Sequence, residues 1–235
     1  MRIVVLILLL FLPCNLVAQT IQDTTVNNKR YFEDQFYGAI TYNFILNAPQ
    51  EVDQRNFSYG LQAGFIKDIP LNENRNIGLG FGLGLGLNTY YTNIRATQIA
   101  DIIQYSLPQS SVDARRSKLE THLLEMPFEF RWRNSNATDY SFWRIYAGIK
   151  FSYLINARSK FVGVDLNNND QNFKESFNNN DLKNFQYGLT FNFGYHNFNM
   201  HVYYALTGLF TDQVILESEA LNLTPLRVGF IFYIL

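Results

Sequence analysis

Two glutamates, Glu125 and Glu129, are the residues of this sequence whose spacing first suggests acid–base chemistry. A carboxyl pair hydrolyses a glycosidic bond when its members lie about 5 to 9.5 Å apart. The residues around this pair alternate between apolar and polar, which indicates a strand, and four residues of strand separate two carboxyls by about 13 Å. The spacing therefore excludes a paired-carboxylate mechanism.

The histidines are the next candidates for chemistry. His122, His196 and His201 fall in separate strands or turns, without a cysteine or a paired aspartate beside them. A zinc site needs several such ligands at close spacing. We therefore predict no metal site, no cofactor and no catalytic residue.

A glycine-rich stretch at residues 76–91 reads NIGLGFGLGLGLNTYY. A dinucleotide-binding loop has glycines at i, i+2 and i+5, and a P-loop has Gly-Lys-Ser/Thr, so neither pattern fits. The strict period of two indicates a strand with glycines on one face and apolar residues on the other. Such a strand suits a small barrel, where one face meets lipid and the other a crowded lumen.

The chain begins with a segment typical of export. Arg2, the apolar run 3–12 and the small residue Ala18 predict a secretory signal peptide over residues 1–18. Residues 19–35 are polar and aperiodic and predict a periplasmic leader, which leaves a barrel domain over 36–235. Beyond Arg2 there are 18 basic and 20 acidic residues, so there is no basic field for nucleic acid. A small-molecule substrate is not expected either.

Alternation recurs along the rest of the chain. Such segments of about ten residues, separated by turn residues, are typical of a transmembrane β-barrel. The predicted fold is therefore all-β, an eight-stranded antiparallel up-and-down transmembrane barrel of the outer-membrane type. The predicted strands are 36–46, 57–66, 77–90, 117–133, 142–156, 184–195, 198–207 and 224–235.

The connections between these strands predict how the barrel is oriented. Connections after even-numbered strands have about 10, 8 and 2 residues, and those after odd-numbered strands about 10, 26, 27 and 16, whereas bacterial barrels have short periplasmic turns and longer extracellular loops. We therefore expect both termini in the periplasm of a Gram-negative cell and the outer membrane as the location. Loops 91–116 and 157–183, rich in Asn, Gln and Ser, are expected to be solvated.

The two faces of the strands can be assigned to lipid and lumen. A soluble lipocalin also has eight strands, but it would expose a bare glycine stripe to water. With the apolar face towards lipid, the glycines lie in the lumen and leave room for inward side chains such as Arg144 and Lys150. The aromatic residues expected at the membrane interfaces are Tyr90, Tyr91, Trp132, Trp143, Tyr195, Phe198 and Tyr233.

The charged residues that share the lumen-facing parity predict a closed barrel. An ionisable group inside a membrane faces the interior and pairs, because an unpaired charge there is costly. An eight-stranded barrel is also just wide enough to be filled by side chains. We expect one lumen network formed by Glu125, Glu129, Arg131, Arg144 and Lys150.

The fourth and fifth predicted strands carry a family resemblance. Residues 123–133, LLEMPFEFRWR, are similar to a strand of a large group of small outer-membrane barrels from gliding bacteria. Residues 142–161, FWRIYAGIKFSYLINARSKF, together with Glu129, resemble the PorT/SprT family of the type IX secretion and gliding machinery. The matching motif positions are Glu125, Met126, Pro127 and Glu129. Pro127 has no amide hydrogen for the ladder and is expected to mark a bulge.

The resemblance implies a function without enzymatic activity. The protein would be a component of a protein secretion machinery, a scaffold or assembly factor whose partners are outer-membrane lipid and other secretion proteins. Contact would run through the lateral wall and the periplasmic turns 67–76 and 134–141, with charges such as Asp68. Two alternatives stay open: a general surface-exposed or adhesive barrel, and a lipid-modifying enzyme that uses Ser117 and His122 at the outer rim.

Overall fold

The computed structural model describes residues 35–100, 102–108, 111–134, 143–166, 171–195 and 198–234. The predicted signal peptide 1–18 and nearly all of the predicted leader lie outside the described residues, as do most of turn 134–141 and His196. The described residues form thirteen strands: β1 Gln35–Leu46, β2 Tyr59–Pro70, β3 Ile77–Tyr91, β4 Arg95–Ile99, β5 Ile102–Ser106, β6 Val112–Arg133, β7 Trp143–Asp165, β8 Gln171–Asn178, β9 Phe185–Tyr195, β10 Phe198–Ala205, β11 Ile215–Leu216, β12 Glu219–Ala220 and β13 Thr224–Ile234. They contain no helix long and apolar enough to cross a membrane.

Eight of these strands close into an antiparallel barrel, as the sequence predicts. Its order is β6-β3-β2-β1-β13-β10-β9-β7, and the pairing of β6 with β7 closes the ring. The first and last strands of the chain, β1 and β13, are neighbours in this ring, with Phe36 opposite Ile234 and Leu46 opposite Thr224. Both described chain ends therefore lie at one rim, called here the terminal end, and the opposite rim is the long-loop end.

The two faces of the wall differ as the period of two requires. On β9, outward residues such as Phe191 and Phe193 are exposed, whereas the inward Gln186, Thr190 and Asn192 are buried. The same alternation holds on β3, whose glycines face the lumen. Two of the expected interface aromatics break this pattern, because Tyr90 and Tyr233 are buried inside the barrel.

The lumen glycines of β3 provide space for inward side chains, but for different ones than the sequence suggested. A Cβ on Gly80 would meet Arg131, and one on Gly86 would meet Glu125. Arg144 and Lys150 lie on β7, which is not a neighbour of β3 in the barrel. Gly80 and Gly86 each make room for a charged residue of β6, the strand with which β3 pairs.

Pro127 interrupts a ladder without forming a bulge, so the expected bulge is wrong. Pairing of β3 with β6 omits Gly82 and Leu83 on one strand and Met126 and Pro127 on the other, but it keeps its register on both sides. A Cβ at position 82 would approach the ring of Pro127 to 2.7 Å, so the ring fits only because Gly82 has no side chain. Register shifts occur instead near Arg115 on β6 and at Ile155 on β7.

The long-loop end carries folded structure where solvated loops were expected. β6 and β7 remain paired as far as Val112 and Asp165, and β8 adds a third strand to this extension. The β4–β5 and β11–β12 hairpins complete the structure, called here the cap, which comprises the described residues within 92–122, 156–184 and 206–223 outside the barrel wall. At the terminal end β2 continues to Pro70, so the turn shrinks to residues 71–76.

Candidate functional site

One cluster of charges occupies the lumen around Glu125. This carboxylate is fully buried, and its two oxygens bind different cations: Oε1 accepts from Arg227 at 2.9 Å and Oε2 from Lys150 at 3.0 Å. Lys150 also donates to Gln62 Oε1 at 2.6 Å. The guanidinium of Arg227 lies 4.1 Å from the centre of the Tyr203 ring, a cation–π contact. One carboxylate thus holds together three strands, β6, β7 and β13.

A second cluster lies nearer the terminal end. Arg131 contacts Glu129 Oε2 at 3.0 Å and Asp68 Oδ1 at 3.4 Å, and Arg133 donates to Asp68 Oδ2 at 2.6 Å. Gln35 accepts a hydrogen bond from Arg131 at 3.2 Å. From the sequence, Gln35 is predicted to lie in the leader and Asp68 in a periplasmic turn. Both predictions are wrong, because both side chains are buried in the lumen.

The five residues of the expected network are all buried in the lumen, but their ion pairs form two clusters. Glu125 pairs with Lys150, and Glu129 pairs with Arg131. Arg144 lies beside the second cluster, with its guanidinium 5.9 Å from the ring of Tyr233. The single connected network is therefore replaced by two clusters stacked along the barrel.

Sequence reasoning missed Arg227 and Asp68, although both carried a readable signal. Arg227 shares the inward parity of Ile231 and Tyr233 on β13. Asp68 continues the inward parity of Gln62 and Ile66. Arg227 lies within the predicted strand 224–235, where its parity alone indicates the lumen. Extending the alternation of the predicted strand 57–66 by two residues would have placed Asp68 there as well.

An apolar cluster covers the lumen at the long-loop end. Inward barrel residues such as Leu123 and Leu154 pack there with Leu209 and Phe210 from the loop after β10. The full cluster consists of Tyr90, Ile94, Leu123, Leu154, Ala157, Leu182, Leu209, Phe210, Val214, Leu216, Leu221 and Leu223. Charged clusters in the lumen and an apolar cover above them leave a packed interior rather than a channel.

Polar contacts attach the β4–β5 hairpin to the rest of the cap. Arg95 binds Glu175 at 2.6 Å and lies 4.9 Å from the ring centre of Phe173. Tyr105 donates to Asp181 Oδ2 at 3.0 Å and accepts from Asn179 Nδ2 at 2.9 Å. Burial raises the pKa of the Tyr105 phenol, so the hydroxyl stays protonated and keeps its donor role. Both strands of the β4–β5 hairpin are thus attached to the rest of the cap.

The structure does not bring Ser117 and His122 together as a lipid-modifying site would require. Ser117 faces into the cap, where its hydroxyl donates to the Ile94 carbonyl, whereas His122 is exposed on the other face of β6. His201 lies in the lumen against Asn192. Among the described residues no group of three or more His, Cys, Asp or Glu side chains is placed to hold a metal ion.

The comparisons with known proteins address the fold. No curated protein matches the chain. The Ail protein, the attachment invasion locus protein of Yersinia pestis, is similar at 10% identity and a TM-score of 0.37, over 86% of this chain and 97% of that one. A multiply substituted porin of Rhodopseudomonas blastica has 9% identity and a TM-score of 0.21, over 87% and 100%. Likenesses this weak carry nothing about function.

A family match covers most of the chain. Residues 17–211 match the family described as the outer membrane protein beta-barrel domain, in agreement with the closed ring of eight antiparallel strands and its exposed apolar wall. The match implies the outer membrane of a Gram-negative cell as the location. The chain therefore belongs to the family of outer membrane protein beta-barrel domains.

Proposed function

We propose that the terminal end of the barrel faces the periplasm and that the cap lies on the cell surface. The support is the difference between the rims: connections 71–76, 135–142 and 196–197 are short, whereas the opposite rim carries the cap. Single cysteines test this, since the only cysteine of the chain, Cys14, lies in the predicted signal peptide. An impermeant maleimide added to intact cells should label Gln98→Cys and leave Glu73→Cys unlabelled. The reverse pattern would invert the barrel.

The function that the geometry supports best is binding, without enzymatic activity, through the cap. The observation that carries this proposal is the continuation of β6 and β7 beyond the barrel. There β8 pairs with β7, and the β4–β5 hairpin is attached through Arg95, which forms an ion pair with Glu175 of β8 and lies over the rings of Phe161 and Phe173. A packed lumen passes no substrate, so the protein acts through its surfaces. Near the tip of the hairpin, Ile99 and Ile102 are exposed, and neighbouring exposed apolar side chains suit contact with a partner.

A second candidate is a scaffold or assembly factor of type IX secretion. The resemblance of the motif Glu125, Met126, Pro127 and Glu129 favours it. Three of these side chains face the lumen, where Glu125 and Glu129 form ion pairs, so they would support the barrel rather than contact a partner. Under this proposal the contacts come from the lateral wall and the periplasmic turns, of which 71–76 carries Glu73 and Arg75.

Two shortened variants separate these functions. In the first, residues 97–104 are replaced by Asn-Gly, which keeps the paired Ala96 and Tyr105 and removes the hairpin tip. In the second, Asn-Gly replaces 72–76, the turn between β2 and β3. We expect cells with the first variant to lose binding of the partner at the cell surface, while they still secrete the cargo proteins of the secretion system. Trapping of cargo in the periplasm by the second variant alone would refute the cap proposal and support the scaffold.

A further inference from the structure

The outer face of the cap beside β7 carries a dense group of positive charges. It consists of Arg116, Lys118, Arg158, Lys160 and Lys174, called here the basic wall. Lys118 lies directly opposite Lys160 across β6 and β7, and Lys174 lies opposite Val162, the next outward residue of β7. Like charges directly opposite on a sheet repel. The chain as a whole has a net charge of only −1, so this face is a local concentration of charge.

The charge on this face is only partly balanced within the protein. Glu120 pairs with Lys118, and Arg158 donates to the neutral hydroxyl of Ser176 at 2.9 Å. Repulsion from Lys174, more than any other cause, holds the pKa of Lys160 below its usual value. Arg115 and Asp113, 3.8 Å apart, form a neutral pair farther out. An excess of positive charge therefore remains on the outer face.

The basic wall stands directly above the apolar surface of the barrel. Tyr153 and Ile155 are the last strongly exposed apolar residues on β7, and the bulge at Ile155 keeps Arg158 and Lys160 on the same outer face. Arg158 and Lys160 follow Ile155 by three and five residues. Arg116 and Lys174 are level with Val162, seven residues beyond Ile155. Three to seven residues of strand span about 10 to 23 Å, and the usual tilt of barrel strands reduces this height. Polar headgroups extend about 5 to 8 Å beyond each side of the hydrocarbon core. The lower part of the wall, at Arg158, thus lies near headgroup height, and the upper part, at Lys174, extends above it, towards the sugar and phosphate groups of a glycolipid.

We propose that the basic wall binds the phosphate groups of the outer-leaflet glycolipid beside the barrel. Arginine and lysine side chains are the usual partners of phosphate, and charge-assisted hydrogen bonds are among the strongest available to a surface. A bound phosphate also separates cations that otherwise repel one another. This assignment to the outer leaflet rests on the proposed orientation of the barrel.

The experiment measures how phosphorylated glycolipid changes the thermal stability of the purified barrel. Diphosphorylated lipid A is added to neutral maltoside micelles, and the same lipid without phosphates serves as the chemical control. The variants are Lys160→Gln and the double variant Lys160→Gln/Lys174→Gln. Lys67→Gln is the matched control, because Lys67 is exposed on the outer face of β2 near the terminal end. We expect lipid A to raise the melting temperature of the unmodified protein and of Lys67→Gln equally.

The double variant should retain less than half of this increase, and lipid without phosphates should give little. In neutral micelles alone, Lys160→Gln should be as stable as the unmodified protein or more so, because repulsion from Lys174 and Lys118 is relieved. A merely structural role would instead destabilise it in both media. Equal increases in the unmodified protein and the double variant, or an equal effect of lipid without phosphates, would overturn the proposal. Loss of labelling at Gln98→Cys in cells would overturn only the assignment to the outer leaflet.

Discussion

The buried carboxylate of Glu125 offers the sharpest test of how the lumen is stabilised. Its two oxygens bind Arg227 and Lys150 at 2.9 and 3.0 Å, and the side chain is fully buried. Replacement by the isosteric glutamine, in Glu125→Gln, removes the negative charge and leaves two cations together in the interior. Removing one partner of a buried ion pair costs about 3 to 5 kcal/mol, because the remaining charge is uncompensated. We expect a loss of that size.

The matched variant Lys150→Met removes charge from the same cluster in the opposite sense. Glu125 keeps Arg227, so the cluster becomes neutral, and the losses are the two hydrogen bonds that Lys150 donates, one to Glu125 Oε2 and one to Gln62 Oε1. A hydrogen bond of this kind contributes about 1 kcal/mol, and leaving its buried partner unsatisfied costs about 1 to 3 kcal/mol. Because no uncompensated charge remains in the interior, we expect Lys150→Met to cost less free energy of unfolding than Glu125→Gln.

Urea unfolding in phospholipid vesicles measures both values. The two tryptophans, Trp132 and Trp143, are exposed on the outer wall, so their fluorescence reports contact of the folded barrel with lipid. The free energy follows from the midpoint and the slope of the transition. Equal losses in the two variants, or no loss in Glu125→Gln, would refute the view that this carboxylate compensates two buried cations.

Three further results are expected. Gly84→Val should destabilise the barrel in the same assay by about 1 to 3 kcal/mol through overpacking. Its Cβ would meet the Tyr37 hydroxyl and, at 2.7 Å, the Ala63 carbonyl oxygen. In the control variant Gly38→Ala the added Cβ meets nothing within 4 Å, so the stability should change little. In planar bilayers the purified protein should show no steady conductance, and reproducible large channels would contradict the packed lumen. Burial raises the pKa of Tyr105 above about 10, its value in an unfolded chain, so the contacts of Tyr105 should hold the hairpin fully below pH 10 and weaken above it. Subtilisin cleavage of the hairpin should therefore increase above pH 10. The variant Tyr105→Phe should remove this pH dependence.

The barrel could be predicted from sequence because its lipid-facing and lumen-facing residues alternate with a period of two. Each strand crosses from one rim to the other with one face in lipid, so apolar and polar residues alternate without interruption, as along β9. The lumen charges of β6 and β7 follow from the same parity. Their pairing could not be predicted, because it depends on which strands face each other across the closed ring. Asp68 and Arg227 complete the two clusters from β2 and β13, far away in sequence.

The cap escaped prediction because the alternation changes parity at its base. Inward residues of β7 are even-numbered as far as Leu154, and then odd-numbered from Ala157 to Phe161, because Ile155 is an extra residue in the ladder. A pattern read with one parity therefore ends near residue 156. The remaining segment is polar on its outer face, like a solvated loop, although its inner face is covered by the β4–β5 hairpin through Arg95 and Phe173.

The inward motif positions Glu125, Pro127 and Glu129 and the residues available to a partner form separate sets. Glu125 and Glu129 are enclosed by cations of the lumen, and Pro127 is packed beside Gly82. These contacts explain why a strand of this kind builds a closed small barrel, and they would be equally useful in a barrel of any function. The exposed tip at Ile99 and Ile102 and the basic wall contact nothing in the lumen and contribute nothing to closing the ring. Differences in function between related barrels are therefore expected in the cap, and a search for partners should begin there.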